Sequence, residues 1–359
     1  MFYKLLAVVL LAAQISTADI DVENNLSEKF KISGYIDAGF TEWGLYNTIP
    51  SREFSIRRSG FEMNARFTET VKAELKIEAG PDNLFLKDAL ISWAPADWTR
   101  IRGGQFKRET LLGGDLSFWN LNMFERPLVY DLCEDLTYAG RDIGLDLRVD
   151  LPGFSGIELR GIAGVFNGDE RGDQREDNEL LYTMRGEIGI PSIDLTLGAS
   201  AAAHRQGESD SVEPSGYISS ARQNAFAADI SIDYKISNWY DITAAAEAVR
   251  GDNWDEVNVI AGEEAPSFTG FWGSLTASYH PLNVQGIKTV SLTANYDTVT
   301  PNTDWDSENT RVSIIGSVYP SKNIRFRFGG VMNRNSTVVA GIPTEENYTD
   351  IIAEVGIRF

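Results

Sequence analysis

Strict alternation of apolar and charged residues is the feature of this chain that leaves the fewest folds open. In VKAELKIEA, Val71, Ala73, Leu75 and Ile77 share one face, and Lys72, Glu74, Lys76 and Glu78 share the other. DIGLDLRVDL sets Ile143, Leu145, Leu147, Val149 and Leu151 against Asp142, Asp146, Arg148 and Asp150. The same period of two runs through residues 157–166, 226–234, 289–296 and 323–332. That is the period of a strand and not of a helix. An apolar face must back onto a protein core or onto lipid. The pattern therefore admits a soluble sandwich with its charged face in water, or a membrane barrel with its charged face around a lumen.

Connection lengths separate the two. About sixteen strands can be counted, all suited to up-and-down antiparallel pairing. Short turns recur at FTET (67–70), APAD (94–97), PGFSG (152–156), IPS (190–192), ISN (236–238), HPLNVQG (280–286) and YPSK (319–322). Between them lie longer polar links, such as those over 167–179, 204–222 and 251–266. A short–long rhythm is that of an outer-membrane barrel, with periplasmic turns and external loops. The expected fold is all-β, a transmembrane antiparallel up-and-down barrel. An even strand number puts both termini on the periplasmic side. The closing segment IIAEVGIRF then pairs with the first strand near KISGYIDAGF (31–40), because an unpaired edge is not tolerated in lipid. Its face of Ile351, Ala353, Val355, Ile357 and Phe359 is expected to meet outer-membrane lipid.

The other end reads as a targeting segment. Lys4 precedes the apolar run LLAVVLLAA (5–13), and small residues follow at Ser16 and Ala18. This layout predicts a secretory signal over 1–18, cleaved near Ala18. The run is too short to cross a bilayer as a helix. Residues 19–29 then form a short periplasmic segment, and 30–359 the barrel. With 52 acidic against 32 basic residues, no nucleic-acid partner is expected. Cys133 is the only cysteine, so no intrachain disulfide can form.

One strand breaks its own parity. In REFSIRRSGFEMNARF, Phe54 and Ile56 share one face while Phe61, Met63, Ala65 and Phe67 share the other. A bulge between Arg57 and Gly60 reconciles them. Without it one of the adjacent Arg57 and Arg58 would face lipid, at about 2–4 kcal/mol at mid-membrane, so a bulge or a protein–protein contact is expected there.

Several segments resemble the family of phosphate-selective porins O and P: RRSGFEMNARF, LKDALISWAP (86–95), IRGGQFKRE (101–109), NMFERP (122–127), GRDIGLDL (140–147) and GIAGVFNGD (161–169). Their order and spacing carry the likeness over residues 30–190. It implies a homotrimer of sixteen-stranded barrels, a third loop folded into the lumen, and arginines lining an anion path. The loop is the 34-residue stretch Lys107–Gly140, which lacks strand alternation and is far longer than an ordinary connection. Its SFWNLNMF (117–124) is apolar enough to pack on an inner wall. The other possibility is an external flap between subunits.

The resemblance leads one to expect lysines on this loop. It carries instead Lys107, Arg108 and Arg126 against Glu109, Asp115, Glu125, Asp131, Glu134 and Asp135. The wall offers Arg57, Arg58, Lys72, Lys76, Arg100, Arg102, Arg148, Arg160, Arg325 and Arg327 for an anion path. Acids accompany them, so mixed charges that keep a pore wet are the plainer reading. Asp304, Asp306 and Glu308 share one edge of DWDSE but lack the glycine and ligand count of an EF-hand loop. No metal site and no cofactor are expected. His204 and His280, the only histidines, show no base–orienter arrangement around a serine. The leading expectation is a passive porin for small inorganic or organic solutes with modest anion preference. A non-selective or cation-preferring porin, a barrel hydrolase and a structural barrel are the alternatives.

Overall fold

The computed structural model describes residues 29–44, 51–80, 84–117, 119–154, 156–168, 180–205, 222–253, 266–281, 284, 286–303, 307–339 and 342–359. The signal segment, nearly all of 19–29 and most of the three longest polar links after residue 160 lie outside the described residues. The strands are β1 Phe30–Trp43, β2 Ser51–Arg66, β3 Val71–Ala79, β4 Leu84–Ala96, β5 Thr99–Lys107, β6 Arg141–Phe154, β7 Ile157–Phe166 and β8 Leu181–Ile190. They continue as β9 Leu195–Arg205, β10 Arg222–Lys235, β11 Tyr240–Asp252, β12 Ser267–Tyr279, β13 Thr289–Thr300, β14 Glu308–Ser321, β15 Ile324–Val339 and β16 Ile342–Arg358. Each pairs with its sequence neighbour and β1 pairs with β16, so sixteen antiparallel strands close into a barrel. The closing register runs from Tyr35↔Arg358 to Glu42↔Ile351. The amide and carbonyl of Phe359 complete it, each bonded to Gly34 at 2.9 Å.

The expected short–long rhythm holds with three departures. On the long-link side, β3–β4 and β15–β16 are joined by only four and two residues, and on the short-turn side β12–β13 by nine. The β15–β16 link is short because those strands run on for 16 and 17 residues, the second of them the longest in the barrel.

The wall is inside out relative to a soluble protein. Leu145, Leu292 and Phe328 face outward at 56%, 59% and 63% exposure, whereas Arg325 and Glu354 face inward at 0% and 4%. Exposed aromatics gather at both ends of the strands. Trp98, Trp239, Tyr240 and Phe359 ring the short-turn end, and Trp43, Tyr182 and Phe226 the other. Such girdles mark the two membrane–water interfaces of a barrel.

The parity conflict in β2 is resolved by a bulge at one residue. Asp37 pairs with Arg58 and Ala38 with Ile56, so Arg57 is the extra residue, and Arg57 and Arg58 both point inward. A second bulge, not foreseen, lies in β4: Lys76 pairs with Asp88 and Ile77 with Leu86, leaving Lys87 extra. Its unpaired carbonyls are met from the next strand, where Gln105 Nε2 donates to Leu86 O at 2.7 Å and Lys87 O at 3.0 Å. A buried polar side chain on the outward parity thus finds its partners.

The hydrophobic core is the loop itself, packed against the inner wall. Loop residues Leu111, Leu121, Met123, Val129, Cys133 and Leu136 lie against inward Phe166, Leu181, Phe268, Trp272 and Val299. Phe124 sits in a separate nest of Ile315, Val331 and Ile352. These inward apolar residues stand on the face that the alternation otherwise reserves for polar groups. The expectation of a loop folded into the lumen is met.

Candidate functional site

The loop between β5 and β6 carries two short helices that strand-based reading did not anticipate, α1 Leu112–Asp115 and α2 Leu128–Asp135. Pro127 before LVYDLCED was the available signal, since proline suits the start of a helix and stops a strand. Wall carboxylates cap both helices. Glu247 accepts from Leu112 N (2.7 Å), Gly113 N (3.1 Å) and Trp272 Nε1 (2.8 Å), and Asp297 accepts from Leu128 N (3.0 Å). First-turn amides lack intrahelical partners and carry the positive end of the dipole, so buried carboxylates suit them. The base of the loop is clamped by Arg108, which donates to Asp142 at 2.8 Å and to Ala139 O, while its own amide bonds Gly140 O at 3.0 Å. Gly140 takes φ +84°, a value that favours glycine.

The segment 119–126 is held by the wall arginines. Arg325 donates to Trp119 O (3.0 Å), Arg327 to Leu121 O (3.3 Å) and Met123 O (2.8 Å), and Arg58 to Phe124 O (2.8 Å). Arg57 and Arg58 also meet Glu125, and Arg311 meets Arg126 O. Behind them, Glu354 receives Arg327 at 2.7 Å, Arg325 at 3.2 Å and Arg57 at 3.5 Å, and Asp37 receives Arg325 at 3.0 Å. Four of the proposed anion-path residues therefore converge on the loop backbone and on three carboxylates. Asp37 and Glu354 were not singled out from the sequence, although both stand on the inward parity of the closing strands.

A second cluster gathers on Glu109. Arg102 and Arg100 approach it at 2.8 and 2.9 Å, and Arg148 at 3.8 Å. Asp146 also takes Arg102, and Asp150 takes Arg148 and Arg160, each at 2.8 Å. Arg160 further meets Glu187 at 2.6 Å. Lys76 pairs with Glu62 at 3.3 Å, while Lys72 is exposed at the short-turn end, opposite Arg66 in the ladder. Lys107 donates to Gly114 O, and Arg126 to Gly114 O and Leu116 O, both at 3.0 Å. Asp115 belongs to α1, and Asp304 and Asp306 lie outside the described residues.

What remains open is a lumen of about 1640 Å³ between the loop and the β1–β8 side of the wall. It reaches from Lys31 and Lys322 at the short-turn rim to Lys107 and Arg141 at the opposite ends of β5 and β6. Loop residues Glu109, Ser117, Trp119, Glu125 and Asp131 and wall residues Glu62, Lys76, Lys87 and Arg102 all line it. Among the described residues, ten basic and eleven acidic side chains line this space. Lys87 owes its place there to the second bulge and pairs with Glu78.

Among the loop groups that titrate away from their ordinary values are Asp131 and Cys133. Asp131 faces the lumen, and enclosure by the surrounding protein pushes its carboxyl up to about 7, with Arg311 opposing and Glu134 and Glu125 adding. Burial pushes the Cys133 thiol well up, and the Glu247 carboxylate adds to this, so the thiol stays protonated. His280 does have an acid beside it, with Nε2 at 2.7 Å from Asp241. Its Nδ1 is 3.0 Å from Thr289, so both ring nitrogens are engaged, neither of them with a serine among the described residues.

No family model and no curated protein matches the sequence. Solved structures match its shape. The outer membrane channel DcaP of Acinetobacter baumannii aligns over 92% of this chain and 97% of its own, with TM-score 0.60 at 11% identity. The anion-selective porin from Comamonas acidovorans gives 0.59 at 10% identity, over 92% and 98%. OprB of Pseudomonas putida gives 0.63 at 8% identity, over 94% and 96%. The chain has the porin fold. At such identities the likeness is one of architecture, covering nearly the whole of each barrel.

Proposed function

We propose that this protein is a passive channel of a bacterial outer membrane, admitting small hydrophilic solutes through a water-filled lumen. The observation that carries the reading is the charge-lined space of about 1640 Å³ left between an anchored inward loop and one side of the wall. A barrel blocked by its loop would leave no such space. The charged lining keeps the passage wet, and the apolar outer face supports a seat for the strands in lipid.

Ion selectivity is weak in this reading. Ten bases and eleven acids nearly cancel, and most of the wall arginines already hold a carboxylate or a loop carbonyl. A modest anion preference, as the resemblance to phosphate-selective porins O and P implies, rests on the bulged pair Arg57–Arg58 and on Arg100, Arg102 and Arg148. The anion-selective Comamonas barrel among the structural neighbours supports it. The near balance of lumen charge favours the second reading, a general porin without ionic preference.

Residues 1–18 are the cleaved signal, with the short turns and both termini periplasmic, and three barrels associate as a homotrimer. Tags inserted in 167–179 and 251–266 should be labelled on intact cells. Labelling only after the outer membrane is broken would reverse this topology. The channel reading itself is tested by swelling of liposomes that contain the purified protein. Sugars and amino acids should enter at rates that fall steeply with size, whereas rates equal to protein-free liposomes would sink the proposal.

A further inference from the structure

The three guanidiniums around Glu109 form a site of a recognisable kind. Arg100, Arg102 and Arg148 stand on adjacent strands β5 and β6, and Arg100 and Arg148 are cross-strand partners. Their forked donors converge on one planar oxyanion, at 2.9, 2.8 and 3.8 Å. This geometry suits a carboxylate or a phosphate in general. The occupant happens to belong to the chain, two residues beyond the end of β5. Arg102 and Arg148 keep Asp146 and Asp150 as further partners. For Arg100, Glu109 is the only carboxylate within ion-pair distance among the described residues. Glu125 repeats the arrangement on Arg57 and Arg58. Both glutamates line the lumen.

We infer that Glu109 is a tethered counter-ion seated in an oxyanion site built by Arg100, Arg102 and Arg148, and that it is a specificity-determining residue of the channel. The inference rests on the channel reading above. With Glu109 in place the cluster is neutralised from within, and a passing anion meets no net positive charge. With the carboxylate gone, Arg100 loses its ion pair, and its charge stands unneutralised beside Arg148 and beside Arg102, the member of the cluster that lines the lumen. Glu125 neutralises its own pair in the same way, but it also belongs to the anchored segment 119–126. Glu109 does not, so it isolates charge from loop position.

The test uses the full-length protein in planar bilayers, with Glu109→Gln compared to wild type. The anion-to-cation permeability ratio, read from reversal potentials across a potassium chloride gradient, should rise by up to about 25-fold, since one unit charge about 4 Å away in water changes the anion's occupancy about fivefold and the cation's about fivefold the other way. Inorganic phosphate at constant ionic strength should then reduce the chloride current of the variant and leave that of wild type nearly unchanged. Adding Arg100→Gln to Glu109→Gln should remove both effects, which a general loosening of the loop would not do. Glu109→Asp retracts the charge by one methylene and should shift the ratio in the same direction by less, which keeps the proposal testable if Glu109→Gln does not assemble. Conducting Glu109→Gln channels with the wild-type ratio and no response to phosphate would overturn the inference while leaving the channel reading intact. Absence of current from folded wild-type protein would instead overturn the channel reading.

Discussion

Replacing Arg327 by Met should free the constricting loop without unfolding the barrel. Arg327 is 3% exposed and donates to Met123 O at 2.8 Å, to Leu121 O at 3.3 Å and to Glu354 at 2.7 Å. Each hydrogen bond from a charged donor contributes about 1.5–3 kcal/mol. Loss of the two carbonyl bonds therefore eases local opening of 119–126 by about 3 kcal/mol or more, roughly a hundredfold in the open population at about 1.4 kcal/mol per decade. Glu354 is not orphaned, because Arg325 and Arg57 remain at 3.2 and 3.5 Å. Met fills similar space beside Phe124, and the β14–β15–β16 ladders are backbone bonds that the change leaves intact. Single-channel recording should show a noisier open level and closures at lower voltage, while the temperature of heat-modifiable mobility stays within a few degrees of wild type. Arg327→Lys keeps the charge but not the fork, and should fall between. Recordings of Arg327→Met as quiet as wild type would refute the idea that this arginine holds the loop.

Three further outcomes follow from particular residues. Asp131 titrates near 7, so its carboxylate is protonated below that value and charged above it. Cation permeability should therefore rise from about pH 6 to about pH 8, and Asp131→Asn should abolish most of the rise, a carboxylate being the charged form only above its pKa. Ile357→Asp with deletion of Phe359 removes the lipid face and last ladder bonds of the closing strand; folded, heat-modifiable protein should fall several-fold, and normal yield would show that closure does not depend on them. Deletion of Arg57 leaves Ile56 outward and Arg58 inward in a regular strand, so the barrel should assemble, whereas deletion of Met63 exchanges the two faces of part of β2 and should not. Equal yields from the two deletions would contradict the bulge.

The barrel was legible because its signal is repeated. An apolar outer face and a polar inner face impose one period on every strand, and VKAELKIEA or DIGLDLRVDL alone shows both faces. The bulge at Arg57 was legible for the same reason, as a parity conflict between Ile56 and Phe61. The bulge at Lys87 was not, because LKDAL carries too few apolar residues to display the slip. Inward Ile315, Val331 and Ile352 break the alternation, yet only the fold shows that Phe124 seats among them. The arginines were legible as inward charges, but their partners were not. Whether Arg325 faces a solute or the carbonyl of Trp119 depends on how a 34-residue loop lies, and no local pattern encodes a contact across 206 residues of chain.

The central claim, a conducting path past the loop, is tested most directly by current through purified protein that carries Ser117→Cys. Ser117 lines the lumen and is exposed, while the native Cys133 is 0% exposed, so a charged methanethiosulfonate reagent should reach only the introduced thiol. Stepwise ohmic current should appear on insertion into a planar bilayer, and the reagent should reduce it in the variant and not in wild type. Folded protein that carries no current above the bare bilayer, or a current indifferent to modification at position 117, would contradict the account.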